Sequence, residues 1–128
     1  MVKPLVIRRE RVPDDAVVVI RAGVMTATSI DQAAQRTFDL YGVLGISVEA
    51  ALEQTVLEAC QMSDRLAPYR QIRLSTFGRL HLAGFALVAT FDSPHFTIVL
   101  PDISELTVAR LDRSFDDPIP NPARRRDE

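Results

Sequence analysis

The feature that most constrains the fold is a short β-branched run followed by a well-delimited helical segment. Residues 17–20 read Val-Val-Val-Ile and follow the turn formers of residues 13–15, a pattern typical of a strand buried on both faces. Ser29 and Gln32 then have the spacing of a capping box, and Gly42 stands where a left-handed helix end is expected. We therefore expect a buried strand and a helix that pack against each other.

Strand and helix patterns continue to alternate after this first pair. Residues 43–48 form a short apolar run typical of a strand, and a second helix is predicted from about Glu49 to Gln61. Residues 69–75 alternate between apolar and polar side chains, which places Arg73 on a wet face or at an edge of a sheet. Because strands and helices alternate up to Ser75, we expect parallel pairing in this part of the sheet.

The last third of the domain predicts a hairpin between two helices. Thr76 can cap a short helix that Gly84 closes, and residues 85–91 and 95–100 are β runs joined by Asp-Ser-Pro. A final helix begins near residues 102–105, with Leu106 facing inward. Together these elements predict an α/β (mixed α+β) domain with about five strands, four helices and a C-terminal antiparallel hairpin.

Length and composition set the domain organisation. A chain of 128 residues is long enough for one domain with its own core. We expect a single globular domain over residues 1–115 and a flexible tail over residues 116–128, where Pro alternates with other residues and three Arg precede the acidic end. The single cysteine excludes an internal disulfide, and no Cys/His pattern suits zinc. We therefore expect no metal and no bound cofactor.

The charge distribution points to local rather than global interactions. The net charge is −2, although 14 of the 15 basic residues are Arg.

No apolar run approaches the roughly 18 residues that span a bilayer, so we expect a cytoplasmic protein with no membrane contact.

His95 and Thr97 are the candidate catalytic residues. They begin the strand after the hairpin turn, and alternation places both side chains on one face. A histidine beside a hydroxyl could act as a general acid or base near neutral pH. The alternative is a histidine that only holds the hairpin turn.

A local motif surrounds this histidine. It consists of Leu80, Ala83-Gly84-Phe85, Leu87-Val88 and Ser93-Pro94-His95. The stretch over residues 80–98 resembles HicA-type bacterial toxins, in which a helix ending in Gly-Phe leads into a hairpin whose second strand begins with Gly-Ser-His. The resemblance implies a fold similar to a double-stranded RNA-binding domain and a role for His95 in RNA cleavage.

Arg21 and Ser47 are the candidate ligand-binding residues. Arg21 ends the first buried strand, where it could reach a cleft at the edge of the sheet, and its planar guanidinium suits a phosphate. The motifs Arg21-Ala22-Gly23, Gly45-Ile46-Ser47 and Leu100-Pro101 resemble parts of ADP-ribosyltransferase-like domains. That resemblance implies NAD binding by Arg21 and Ser47. The alternative is a structural Arg21 paired with an aspartate such as Asp14 or Asp39.

A basic segment with one aromatic residue is the candidate nucleic-acid or partner surface. Its members are Arg65, Tyr69, Arg70, Arg73 and Arg79. Arginines on a wet strand face could hold a nucleic-acid backbone while the tyrosine stacks on a base. An intramolecular salt-bridge patch with the preceding acidic segment is the alternative.

Three functional hypotheses follow. The first is an interaction protein without a complete catalytic set, such as one member of a toxin-antitoxin-like pair, with a protein partner or a second copy of itself. The second is an RNA-directed toxin that uses His95. The third is an NAD-dependent transferase toxin that uses Arg21 and Ser47. Nucleotide-dependent motors, Rossmann enzymes and metalloproteases have no support, because their motifs are missing.

Overall fold

Helices and strands alternate along the chain in a computed structural model that describes residues 2–21, 25–63 and 65–123. Its elements are β1 Val17–Ile20, α1 Ala27–Tyr41, β2 Gly45–Ala51, α2 Val56–Met62, β3 Gln71–Thr76, α3 Phe77–Leu82, β4 Ala86–Ala89, β5 His95–Val99, α4 Glu105–Arg113 and β6 Ile119–Pro120. The fold is mixed α+β, as expected, with four helices and six strands in the described part of the chain.

The six strands form one antiparallel sheet in the order β4-β5-β2-β1-β3-β6. Every strand pair is antiparallel, including β1 with β2, where Val17 lies opposite Ala51. The expectation of parallel pairing before Ser75 is therefore wrong. The helix between β1 and β2 returns the chain to the same end of the sheet, so alternation of strands and helices does not require a parallel crossover.

Helix α1 begins slightly earlier than the sequence pattern indicates. Thr26 is the N-cap and forms a capping box with Ser29, so Ser29 lies inside the helix rather than capping it. Gly42 adopts the left-handed conformation at φ 76°, as expected for the helix end. Ile30 and Ala34 are buried. The local signals at both ends therefore locate this helix to within a few residues.

The second helix is shorter than predicted. Residues 45–51 form a strand, and α2 begins only after Thr55, whose hydroxyl forms a capping box with Glu58. The expected helix from Glu49 to Gln61 is wrong over its first part. Strand β2 pairs with β1 on one side and β5 on the other, which satisfies its backbone groups on both edges. For residues 49–51, the backbone hydrogen bonds to neighbouring strands therefore determine the structure, although the apolar residues that follow have helical spacing.

The sheet buries a large core on one face and a small one on the other. The large core packs α1, α3 and α4 against strand residues such as Val18, Ile46 and Ile98. The small core comprises Val19, Cys60, Leu66 and Ile72. Because α2 and the following turn cover only part of this second face, polar strand residues beside them line surface clefts.

The hairpin of β4 and β5 forms as expected, and α4 follows it. Leu106 is 83% exposed, so the expectation that it faces inward is wrong. Ser104 is the N-cap, and this start sets the helical phase so that Thr107, Val108 and Leu111 are the buried residues. Within the described residues, no helix has both the length and the apolarity required to cross a membrane.

Residues 116–123 differ from the flexible tail that composition suggests. Strand β6 pairs with Gln71 and Ile72, and Asn121 is 4% exposed. The Asn121 amide donates hydrogen bonds to the carbonyl oxygens of Leu66 and Tyr69, each at 2.8 Å. These contacts hold the segment against the domain. The predicted tail residues 124–128 lie outside the described residues.

Candidate functional site

One face of the sheet collects the polar candidates from three strands. Ser47 lies opposite Thr97, and Glu49 lies opposite His95, in the pairing of β2 with β5. Val19 of β1 lies opposite Glu49, and the same register continued by two residues brings Arg21 to Ser47. Alternation along each strand places these polar side chains on one face. The two separately predicted pairs, His95 with Thr97 and Arg21 with Ser47, therefore lie on one face of the sheet, where His95 and Thr97 are buried.

A cleft of about 630 Å³ lies at the end of the sheet beside α1 and is lined by residues from both faces. Its polar lining includes Arg21, Ser47, Tyr69 and Arg70, and its apolar lining includes Ile20, Met25, Ile30 and Ile46. Arg36 of α1 completes the rim. We call this the arginine cleft. Sequence reasoning did not select Arg36, because an exposed arginine on a helix carries no local signal of a site.

The positive charge of the arginine cleft has no balancing carboxylate among the described lining residues. Arg21 Nη1 donates a hydrogen bond to the Tyr69 hydroxyl at 2.9 Å, and its guanidinium lies 4.9 Å from the centre of the Tyr69 ring. Among the residues that the structure describes, Arg21, Arg36 and Arg70 form no ion pair. The alternative of an Arg21 paired with Asp14 or Asp39 is thus not found. Tyr69 fixes Arg21 without neutralising it.

Ser47 is exposed at the edge of the arginine cleft. Its side chain makes no hydrogen bond within the part of the chain that the structure describes. Tyr69 is 40% exposed. Both groups are therefore accessible to a molecule that enters the cleft, beside the guanidinium of Arg21.

The predicted basic surface from Arg65 to Arg79 is divided by the fold. Arg65, Tyr69 and Arg70 are exposed, as expected. Arg73 is only 5% exposed, and its Nη1 lies 2.5 Å from the Asp112 carboxylate. Arg79 forms an ion pair with Asp116 at 2.8 Å. The expectation that Arg73 lies on an open surface is therefore wrong, because the end of α4 and the segment after it lie over β3. Arg79 is exposed and paired with Asp116.

His95 is held in one orientation by neighbouring threonines. Its Nδ1 lies 2.7 Å from the Thr90 hydroxyl and 3.2 Å from the Thr90 carbonyl oxygen, and the Thr90 hydroxyl lies 2.9 Å from that of Thr97. Burial lowers the pKa of His95 to about 4, and the positive charge of Arg65 acts in the same direction. The imidazole is therefore neutral near pH 7. Within the described residues, its Nε2 is buried and has no hydrogen-bond partner.

Glu49 is a buried acidic residue that the sequence pattern placed at the start of the second helix. It is 5% exposed, and Ser63 donates a hydrogen bond to its Oε1 at 3.4 Å. Burial raises the pKa of Glu49, while the positive charge of Arg65 and the Ser63 hydrogen bond oppose that effect. The alternation of residues 46–49 in a β-branched run is the sequence signal that could have placed this carboxyl on the strand.

A second cleft, of about 340 Å³, lies on the same face next to Glu49 and His95. We call it the histidine cleft. Its other lining residues include Met62, Ser63, Arg65 and Phe91. Between the two clefts, Arg21, Ser47, Glu49 and Arg65 surround a space of only about 10 Å³. The described residues contain no cluster of three or more His, Cys, Asp or Glu side chains that could hold a metal ion.

The fold and these clefts define a small protein with an antiparallel sheet, a cationic cleft and an adjacent polar cleft lined by both acidic and basic side chains. Comparison of the chain with protein-family models, with curated proteins and with solved structures finds no match. The geometry of the two clefts is therefore the basis for a functional proposal.

Proposed function

We propose that the protein binds a small phosphate-bearing organic molecule in the arginine cleft. The observation that carries this proposal is the grouping of Arg21, Arg36 and Arg70 around one cleft without a carboxylate among the described lining residues. Since the whole chain has a net charge of −2, this positive charge is a local feature. Guanidinium groups offer planar sets of N–H donors that match phosphate oxygens.

The shape and lining of the cleft favour an amphipathic ligand. Its volume of about 630 Å³ falls within the range of small-molecule sites. Met25, Ile30 and Ile46 provide an apolar surface below the arginines. A molecule with a carbon ring at one end and phosphate at the other would satisfy both parts, as a nucleotide does.

This proposal shares its ligand class with the NAD hypothesis. Both Arg21 and Ser47 line the cleft, which supports a ligand that contacts both residues. The proposal concerns binding and does not include a transfer step. We also propose a cytoplasmic location, where phosphorylated metabolites of this kind are abundant.

Single-stranded RNA is the second candidate ligand. Arg65, Tyr69 and Arg70 are exposed near the mouths of the two clefts. Such a group could hold a backbone phosphate and stack on a base. The cleft nevertheless favours a small molecule, because its apolar surface lies below the rim.

A protein partner has weaker support. Leu82, Leu106 and Met62 are 89%, 83% and 74% exposed, but they lie on three different helices. Single exposed apolar side chains are normal on protein surfaces. The cleft, rather than these side chains, therefore carries the proposal.

Calorimetric titration with ADP, NAD and pyrophosphate at low ionic strength tests the proposal. We expect at least one of these probes to bind, and we expect Arg21→Gln to lower its affinity about 10- to 100-fold, because a charge-assisted hydrogen bond is lost. Arg11→Gln is the matched control. Arg11 is exposed and lies outside both clefts, so the same change of charge should alter affinity by no more than about threefold.

Two results would contradict the proposal. If none of the three probes binds, the cleft is not a phosphate site. If Arg11→Gln and Arg21→Gln weaken binding equally, the effect comes from total charge. Fluorescence anisotropy with a labelled RNA oligonucleotide completes the test, since RNA binding without binding of the small probes would favour the second candidate.

A further inference from the structure

The outer edge of β4 borders a groove that is distinct from both clefts. Strand β4 is the last strand of the sheet, and on its outer side the described residues form one bridge, between Ile7 and Thr90. A cavity of about 410 Å³ lies next to this bridge and touches three consecutive residues, Leu87, Val88 and Ala89. Because successive side chains point to opposite faces of a sheet, a cavity that touches three in a row lies along the strand edge. We call it the edge groove, and among the described residues it shares no lining residue with the arginine cleft or the histidine cleft.

The backbone of Leu87 is available for pairing in the edge groove. The Thr90 N–H donates to the His95 carbonyl oxygen of β5 at 3.2 Å, and hydrogen-bonded pairs alternate along an antiparallel ladder. Residues 86, 88 and 90 therefore direct their N–H and C=O groups toward β5, whereas residues 87 and 89 direct theirs outward. The Ala89 carbonyl oxygen accepts from the Arg8 N–H at 2.8 Å, which agrees with this direction. Within the described residues, the outward N–H and C=O of Leu87 have no backbone partner.

The N-terminal segment forms the opposite wall of the edge groove. Arg8 holds this wall in place, since its Nη2 donates to the His95 carbonyl oxygen at 2.7 Å and its Nη1 lies 3.3 Å from the Glu10 carboxylate. Arg9 and Glu10 both line the groove. Glu10 is balanced by Arg8, whereas Arg9 is exposed and forms no ion pair among the described residues. The rim of the groove therefore carries one unbalanced positive charge.

The floor of the edge groove is apolar. Val12, Phe77 and Phe96 line it, and the two rings lie edge to face with their centroids 5.1 Å apart. Leu87 lies opposite Ile98, which is on the same sheet face as Phe96 because these two residues alternate along β5. A strand residue that paired with Leu87 would place its own side chain on that face, over the apolar floor.

We propose that the edge groove binds an extended acidic peptide segment of another protein, which pairs with β4 as an added strand. The peptide backbone exchanges hydrogen bonds with the free N–H and C=O of Leu87. An apolar side chain of the peptide covers Val12 and Phe77, and a neighbouring carboxylate contacts Arg9. Addition to a sheet edge obtains affinity from backbone hydrogen bonds and specificity from alternate side chains. The inference goes beyond the proposed function and uses none of the residues of the phosphate site.

The position of the N-terminal segment favours a single strand over a second copy of this sheet. Because residues 8–10 form the opposite wall, the occupant must fit between them and β4. One extended chain can enter such a groove, whereas the edge of a folded sheet brings its neighbouring elements with it. Residues 85–91 contain no charged residue and no proline, which are the features that usually block addition of a strand to an edge.

Two pools of synthetic heptapeptides test the proposal in protein-observed NMR titrations. In one pool Val, Leu or Phe alternates with Asp or Glu, and in the other with Lys or Arg. We expect the acidic pool to slow hydrogen exchange at the Leu87 amide, and the basic pool to bind at least about fivefold more weakly, because Arg9 repels it. N-methylation of the apolar residues of the acidic pool removes the donors to the Leu87 carbonyl oxygen. This change should lower the affinity at least about tenfold.

Arg9→Gln and Arg11→Gln are a matched pair of variants. Both arginines are exposed, but only Arg9 lines the edge groove. We expect Arg9→Gln to weaken binding of the acidic pool about two- to fivefold, which is the usual contribution of an exposed ion pair. Arg11→Gln should leave the affinity unchanged. Equal effects of the two variants would contradict the assignment of a carboxylate contact to Arg9.

Three results of the peptide titrations would overturn the proposal. The acidic pool could fail to bind, could bind without slower exchange at the Leu87 amide, or could bind equally well after N-methylation. Analytical ultracentrifugation of the free protein provides a fourth result. A dimer whose Leu87 amide is already protected would assign the edge groove to a second copy of this chain and would overturn the assignment to another protein.

Discussion

At the scale of single residues, His95 couples the stability of this protein to pH. An unfolded histidine has an ordinary pKa of 6.5, whereas burial holds His95 at about 4 in the native state. Between these values the unfolded chain binds a proton at this position and the native chain does not. Native stability is therefore complete above about pH 6.5 and falls as the pH decreases towards 4.

The His95→Gln variant should lose this pH dependence. The difference between the two pKa values corresponds to about 3 kcal/mol of stability lost on acidification. We expect the free energy of unfolding of the wild type to fall between about pH 6.5 and pH 5 and that of the variant to fall much less. Urea denaturation at several pH values measures both slopes.

The exposed His81 provides the control. His81→Gln should keep the wild-type slope, because His81 is exposed and lies outside the buried cluster around His95. Glu49 acts in the opposite direction, since an acid with a raised native pKa favours the native state as the pH falls. A variant His95→Gln with an unchanged slope would show that the buried imidazole is not the source of the acid sensitivity.

At the scale of helices and strands, the sequence predicts those features that depend on neighbouring residues. Gly42 at the end of α1 and Thr76 at the start of α3 were both identified, because caps depend on side chains within a few positions. The hairpin of β4 and β5 was predicted for the same reason, since its turn formers lie between two apolar runs.

The features that were not predicted depend on residues far away in the chain. Residues 49–51 continue strand β2, which lies between β1 and β5, instead of beginning the predicted helix. Arg73 looked like part of a wet face because α4 and the segment after it, which bury it, come about 40 residues later. Antiparallel pairing was missed for the same reason.

Arg73 joins β3 to the end of α4, and its loss should destabilise both elements. Its guanidinium donates to the Asp112 carboxylate and to the carbonyl oxygens of Asp112, Phe115 and Asp116 at 2.5–3.2 Å. We expect Arg73→Ala to lower the free energy of unfolding by about 2–4 kcal/mol, because buried carbonyl groups are left unpaired. Thermal and urea unfolding measure this loss.

Two further variants define the origin of that effect. Arg73→Lys keeps the charge but not the planar set of donors, so we expect only partial recovery. Arg70→Ala removes an exposed arginine from the same segment and should change stability by less than about 0.5 kcal/mol. Full recovery with lysine would indicate that charge alone, rather than the carbonyl contacts, stabilises the pair of elements.

At the scale of the whole molecule, the candidate site brings together residues that the sequence predicts only as separate candidates. Arg21 with Ser47 and His95 with Thr97 were selected as two separate pairs. Their placement on one face of the sheet follows from the strand order β5-β2-β1, which the sequence does not specify. Arg36 and Glu49 were missed because their roles depend on that same order.

The C-terminal segment lies at the edge of the sheet and contacts the turn that carries part of the candidate site. Asn121 donates hydrogen bonds to the carbonyl oxygens of Leu66 and Tyr69, and its N–H donates to the carbonyl oxygen of Arg70. Tyr69 and Arg70 line the arginine cleft, whereas Asn121 does not. Asn121 is therefore a positioning residue for the turn that carries two side chains of the proposed phosphate site.

Asn121→Asp should weaken phosphate binding without removing any residue from the arginine cleft. The aspartate has the size of asparagine but cannot donate to the two carbonyl oxygens, so the turn over residues 65–70 should open more readily. For the phosphate probe that binds the wild type, we expect an affinity about 3- to 10-fold lower and faster hydrogen exchange at the Tyr69 amide, while amides of α1 remain protected. Pro122→Ala, at an exposed neighbouring position, should change neither quantity. Unchanged affinity together with faster exchange at Tyr69 would show that the cleft tolerates movement of this turn, and would place the main contribution to binding on Arg21 and Arg36.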